Sequence, residues 1–205
     1  MFACTCTGAF NDNYFKNALI ILLTYRLAEA DGIKPETLIS LASATFIWPF
    51  FLFSGIAGNL ADHMPKQELV RWLKISELTL CVLALPALLI GHIWSLMVLL
   101  TLLGVQAAFM GPVKYAILPS LLEPREMIAG NGITEAGTFL AILFGTMFGG
   151  LLILKPQGEW IVGLSMIAIG FLGYRASLRI PSLDTAYDRS ALTLNIWRTT
   201  CAMLR

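Results

Sequence analysis

Four ionisable residues, Asp12, Lys16, Lys114 and Glu135, stand inside stretches of sequence that are otherwise largely apolar. A charged side chain at the centre of a bilayer costs about 2.5–3.5 kcal/mol on insertion scales, so each of them needs a partner or a water-filled cavity. Asp12 and Lys16 are spaced i,i+4, as are Asn13 and Asn17, which puts two polar pairs on neighbouring faces of one helix. That sector cannot face lipid. It either lines a polar passage or holds helices together through an Asp12–Lys16 pair that neutralises itself. Lys114 lies in Phe109-Met110-Gly111-Pro112-Val113-Lys114-Tyr115, where Gly111 and Pro112 loosen a helix and free backbone carbonyls toward a cavity. A lysine there can meet an anion, or it can snorkel to the cytoplasmic surface near residues 121–125. Glu135, one turn after Asn131, can pair with Lys114 or Lys16, or serve as an interfacial carboxylate at the start of a span.

The rest of the chain is composed for a membrane. Of 205 residues, 57% are apolar and 13% charged, with a mean hydropathy of +0.75. A soluble domain runs at about 45–50% and about 25% respectively. Fourteen Lys and Arg against thirteen Asp and Glu leave a net charge of +1, too sparse to neutralise a row of phosphates, so nucleic acid is excluded as a partner. Cys4, Cys6, Cys81 and Cys201 form neither a zinc site with paired ligands nor a disulfide scaffold. Neither H-E-x-x-H nor G-x-S-x-G occurs, and His63 and His92 fall in expected loops, so no enzyme activity, metal or cofactor is expected. Residues 1–8 lack the basic and apolar regions of a secretory signal peptide.

About 20 apolar residues at 1.5 Å each cross a hydrocarbon core of about 30 Å. Residues 37–61 carry no charge and read as one span. The charge-free interval between Glu77 and Lys114 is too long for a single crossing and must turn, at Gly91-His92. Residues 136–154 form a further clean stretch, closed by Lys155-Pro156-Gln157-Gly158, and residues 160–174 a last one. The first span is the awkward one. Only residues 18–25 are apolar after Asn17, so the polar run from Gly8 to Asn17 must itself belong to the helix, and more helix would ordinarily precede Met1. The expected fold is an all-α membrane protein, a bundle of six spans at about 8–27, 37–61, 70–90, 94–118, 130–154 and 159–178.

The loops after spans two, four and six hold nine basic residues, Lys66, Arg71, Lys74, Arg125, Arg175, Arg179, Arg189, Arg198 and Arg205, against Arg26, Lys34 and Lys155 opposite. That excess places both termini in the cytoplasm. Residues 181–205 turn polar and read as a cytoplasmic connector, with a membrane-surface helix as the other option. In span five, Gly137, Ala141, Gly145 and Gly149 put a small residue at every fourth position, a surface for close helix packing rather than for a ligand.

Between spans two and three, Gly58-Asn59-Leu60-Ala61-Asp62-His63-Met64-Pro65-Lys66 follows a G-x-L-A-D-x-x-x-K pattern. With six spans and both ends cytoplasmic, the chain resembles the N-terminal half of a major facilitator superfamily transporter, a 3+3 inverted repeat occupying residues 1–180. The resemblance implies that Gly58, Asp62 and Lys66 belong to a loop that latches against the other half in one of the alternating states. His63 stands where arginine is usual and Pro65 where glycine is usual, departures that bear on the latch rather than the fold. A closer resemblance is to the lysophospholipid transporter branch, which includes members fused to acyltransferase and acyl-carrier-protein synthetase domains. It rests on Gly8-Ala9-Phe10-Asn11-Asp12-Asn13 with Lys16-Asn17-Ala18-Leu19, on Gly111-Pro112-Val113-Lys114-Tyr115-Ala116-Ile117-Leu118, and on Asn131-Gly132 with Thr134-Glu135-Ala136. The implied function is alternating-access transport of a lysophosphatidylethanolamine-like lipid across the bacterial inner membrane. Asp12 and Lys114 would be the charged elements of the headgroup site, supported by Asn13, Glu135 and Lys16. The implied partners are the bilayer, the lysophospholipid, a C-terminal six-helix half and a fused or separate acyltransferase/acyl-ACP synthetase. Two other readings stay open. One is an exporter of a drug or small solute by proton antiport, with Asp12 or Glu135 titrating; the other is a membrane scaffold for an acyltransferase that transports nothing.

Overall fold

Long apolar runs separated by short joints containing Gly or Pro give six helices. The structure, a computed structural model, describes residues 1–27 and 34–181. The helices are α1 (Phe2–Leu22), α2 (Pro35–His63), α3 (Lys66–Ile90), α4 (Ile93–Ile117), α5 (Met127–Ile153) and α6 (Gly158–Ser177). α1 runs on into a π-helical turn, Leu23–Leu27. The fold is the expected all-α six-helix bundle. Among the described residues five helices, α2 to α6, are long and apolar enough to cross a membrane. α1 carries Asn11, Asp12, Asn13, Lys16 and Asn17 along its length; it is helical through the polar run because neighbouring helices bury part of that run.

The joints follow from local chemistry. Gly91 closes α3 in the left-handed conformation (φ 68°), its N–H donating to the Ala87 carbonyl at 3.0 Å, and His92 then caps α4 by accepting from the Ser95 N–H. Pro112 does not interrupt α4, which continues to Ile117. Gly58 to Lys66, read from sequence as a loop, is mostly helix: α2 runs to His63 and α3 begins at Lys66, so only Met64 and Pro65 are left to turn. His63 is thus the last residue of α2, its Nδ1 lying 2.8 Å from the Asn59 carbonyl oxygen.

Helix pairing shows an internal symmetry. α1 packs most extensively on α5, α2 on α4 and α3 on α6, followed by α3 on α4 and α1 on α6. Exchanging α1 with α4, α2 with α5 and α3 with α6 maps this set of contacts onto itself, as a 3+3 repeat requires. Close approach at α1–α5 depends on the small residues of α5. A Cβ on Gly145 would lie 2.5 Å from the carbonyl oxygen of Phe10, one on Gly149 would meet the carbonyl oxygen of Tyr14, and one on Gly137 would meet the Phe2 ring, while Ala141 between them is buried. The main core joins Tyr14, Phe15 and Leu19 of α1 to Leu88, Leu100, Leu103 and Met166. Outward-facing side chains such as Phe51 and Ile128 are 80% and 89% exposed, which fits a surface solvated by lipid.

Lys66, Arg71, Lys74 and Arg175, which charge counting puts in loops, lie in helices, the first three in α3 and the last in α6, and of these Lys74 is the one wholly buried. Lys74 was expected in a cytoplasmic loop, yet it lies in α3 with its side chain wholly buried. Its partner Glu77, one turn on, makes that burial tolerable. The connector expected at 181–205 lies, after Pro181, outside the described residues, as do Arg189, Arg198, Arg205 and Cys201.

Candidate functional site

A groove of about 330 Å³ opens where α1, α2, α4 and α5 converge. α1 contributes Thr5 and Asn13, α2 contributes Phe46 and Phe50, α4 contributes Gln106, Met110 and Lys114, and α5 contributes Thr138 and Ile142. Its walls are therefore mostly apolar, with a few polar groups fixed on rigid helices, the usual composition of a small-molecule site.

The charge in the groove is concentrated at one end. The Lys114 ammonium donates to Glu135 Oε1 at 2.7 Å, and the Tyr115 hydroxyl donates to the same oxygen at 2.9 Å. The pair bridges α4 and α5, and its side chains are 10% and 35% exposed, so Glu135 remains accessible. The ammonium also lies 4.6 Å from the centroid of the Tyr115 ring. The Lys16 ammonium donates to Asn13 Oδ1 at 3.0 Å and sits 5.2 Å from the centre of the Phe46 ring. Both of its partners line the groove, so Lys16 is held next to that wall without lining it. Asn13 is held by its own amide, which donates to the Ala9 carbonyl at 2.8 Å.

Of the expected headgroup residues, Lys114 and Asn13 line the groove, while Glu135 and Lys16 stand beside it as their hydrogen-bond partners. Asp12 goes elsewhere. It is 6% exposed, is absent from the groove walls, and interacts electrostatically with Glu77 and Lys74 as well as Lys16. The spacing allowed an Asp12–Lys16 ion pair; instead the Lys16 ammonium donates to Asn13 and sits by the Phe46 ring.

Behind the groove lies a polar cluster that spacing alone did not reveal. Lys74 Nζ and Glu77 Oε2 are 2.6 Å apart, both side chains fully buried. The ammonium also donates to Thr7 Oγ1 at 3.3 Å, and Gln106 Nε2 donates to Glu77 Oε2 and to the Leu73 carbonyl, each at 3.3 Å. Gly8 and Gly173 make room for it: a Cβ on either would come within 3.1 and 3.3 Å, respectively, of the ammonium. Asn11 completes the layer, its amide donating to the Met166 carbonyl at 3.2 Å and to Cys81 Sγ at 3.4 Å. The available signal was the i,i+3 spacing of Lys74 and Glu77 inside a helical pattern. Gln106 serves both regions, since it lines the groove and bonds to Glu77. Among the described residues no group of His, Cys, Asp and Glu is arranged to hold a metal ion.

Comparison with known proteins agrees with this architecture. Residues 1–189 match the Major Facilitator Superfamily. A lysophospholipid transporter, LplT, of Escherichia fergusonii is 29% identical over 196 residues, covering 95% of this chain and 45% of the relative. The LplT of Cronobacter sakazakii is 31% identical over 182 residues, covering 87% and 42%, and that of an Enterobacter species 29% over 182 residues with the same coverage. The chain therefore spans a little under half the length of these relatives. The membrane-spanning helices, their paired packing and the match over nearly the whole length together show that this chain belongs to the Major Facilitator Superfamily, a family of transport proteins rather than enzymes, on a branch related to the LplT lysophospholipid transporters.

Proposed function

We propose that the chain forms the N-terminal half of a transporter that moves a lysophosphatidylethanolamine-like lysophospholipid across the bacterial inner membrane by alternating access. The observation that carries this reading is the Lys114–Glu135 pair at the edge of a mostly apolar groove. A zwitterionic headgroup can exchange for the pair's internal bond, its phosphate meeting Lys114 and Lys16 and its ammonium meeting Glu135. The anionic role expected of Asp12 then falls to Glu135, with Asp12 behind the wall. Phe46, Phe50, Met110 and Ile142 offer a surface for one acyl chain. A second six-helix half closes the groove from the other side, and rocking of the halves exposes it alternately. Gly58, Asp62 and Lys66 at the tight α2–α3 turn latch the halves on the cytoplasmic side, where both termini also lie. A fused or separate acyltransferase/acyl-ACP synthetase would consume the delivered lipid.

The test is uptake of lysophosphatidylethanolamine by spheroplasts expressing the chain together with its second six-helix half. Each charge-assisted hydrogen bond is worth about 1.5–3 kcal/mol, so Lys114→Ala and Glu135→Gln should each lower uptake at limiting lipid by about ten- to a hundredfold. Unchanged uptake by both variants would remove the assigned site.

A further inference from the structure

Gln106 lines the groove from α4, about two turns or roughly 12 Å along that helix from Lys114, with its side chain nearly all buried. Its amide nitrogen donates to Glu77 Oε2 and to the Leu73 carbonyl, each at 3.3 Å. Both partners belong to α3, and both are acceptors. The Lys74 ammonium, 2.6 Å from the same Glu77 oxygen, keeps that oxygen an acceptor and holds the anchor in place. Turning the amide over would set oxygen against oxygen, so its orientation is fixed.

A primary amide has two N–H donors and one carbonyl oxygen. With the nitrogen committed to α3, the capacity left to Gln106 is that of an acceptor, Oε1. Among the described residues no group donates to it. Nor is it one of the polar side-chain atoms sealed from solvent without a partner, which are Asn11 Oδ1, Asp12 Oδ1, Gln67 Oε1, Arg71 Nε and Glu77 Oε1. It is therefore open to the space that Gln106 lines. The other neutral polar side chains of the groove are tied within their own helices: the hydroxyls of Thr5 and Thr138 and the amide of Asn13 donate to carbonyls one turn back. The neutral lining is thus short of free donors, and Gln106 is the member of it anchored to a different helix. Gln106 also borders a recess between α3 and α4, but the walls there are mostly apolar, Trp72, Leu80, Leu102 and Phe109 among them; the charged partner for a polar ligand, Lys114, lies on the groove side.

We propose that Gln106 is a specificity-determining residue, a fixed acceptor for the free glycerol hydroxyl of a monoacyl phospholipid. The inference rests on the reading of the groove as a lysophospholipid site and adds what the groove selects against. Lipids with two acyl chains carry an ester where the lysolipid carries the hydroxyl. An ester has acceptors and no donor, so it would face the Gln106 oxygen with both left unpaired, whereas the hydroxyl donates to it. With the phosphate at Lys114, the glycerol extends along α4 toward Gln106. Glu77 and Lys74 act through Gln106, as positioning residues.

Uptake by spheroplasts expressing the chain with its second six-helix half can be compared for three lipids: lysophosphatidylethanolamine, its analogue without the glycerol hydroxyl, and its methyl ether at that oxygen. A neutral hydrogen bond predicts that wild type takes up each analogue about tenfold less well than the parent at limiting lipid. The ratio should fall toward one in Gln106→Met, which keeps the length and loses the oxygen, and in Gln106→Asn, which withdraws it by one methylene. Either variant suffices if the other does not reach the membrane. Equal wild-type uptake of the parent and the methyl ether would overturn the proposal while leaving the groove reading intact. A uniform loss for all three lipids in the variants, with the ratio kept, would also overturn it, in favour of a purely structural role. Absence of wild-type uptake of all three would remove the groove reading and this proposal with it.

Discussion

Lys74 and Glu77 form an ion pair with both side chains fully buried, and such a pair behaves differently from the partly exposed Lys114–Glu135 bridge. Removing one member of a buried pair strands the other, at a cost of about 3–5 kcal/mol, whereas replacing both with apolar groups of similar size is often close to neutral. Lys74→Met should therefore lower stability sharply in denaturant unfolding of the micelle-solubilised protein, while the Lys74→Met, Glu77→Leu double variant should recover most of the loss. A double variant no more stable than Lys74→Met would show that the pair is not coupled. At this scale the sequence was legible for the residues facing the groove, because a lysine beside Gly111-Pro112 and a carboxylate on the next helix stand out against apolar surroundings. It was less so for Lys74 and Glu77. Charges near the end of a span ordinarily mark its exit into water, and only Gly8 and Gly173, on two other helices, turn that position into an interior one.

The helices themselves were legible from charge-free intervals and from the joint at Gly91-His92, since burial of apolar length and satisfaction of backbone hydrogen bonds leave little choice in a bilayer. What intervals do not encode is which helix meets which. The small-residue stripe of α5 announced a close contact without naming α1 as its partner, and the Gly58 to Lys66 segment read as a loop because its charges hid a helix continuing to His63. Two glycines of α5 separate packing from mere composition. Gly145 has the Phe10 carbonyl oxygen where its Cβ would go, and a backbone atom cannot step aside; Gly132 has nothing within 4 Å. Gly145→Ala should cost about 1–3 kcal/mol through overpacking, whereas Gly132→Ala should gain about 0.5–1 kcal/mol from reduced backbone freedom in the unfolded chain. Thermal unfolding in one detergent would check both, and equal effects would mean that α1 and α5 are not locked at Gly145.

For the whole molecule, the pairing symmetry that exchanges α1–α3 with α4–α6 is a property of the packed bundle and has no counterpart in a hydropathy profile. Orientation, by contrast, rests on charge in the joints, and the burial of Lys74 weakens the count that supports it. Withdrawing that residue leaves eight basic residues on the expected cytoplasmic side against Arg26, Lys34 and Lys155 on the other. The imbalance still favours cytoplasmic termini, because each Lys or Arg in a short loop resists translocation while acidic residues contribute little. Cytoplasmic termini would put the α4–α5 joint in the cytoplasm and the α5–α6 joint outside. Glu123 and Lys155 are exposed representatives of the two. With the four native cysteines replaced by alanine, Lys155→Cys should react with a membrane-impermeant maleimide in intact spheroplasts, and Glu123→Cys only after the membrane is permeabilised. The reverse pattern would invert the molecule, placing the α2–α3 turn and both termini outside.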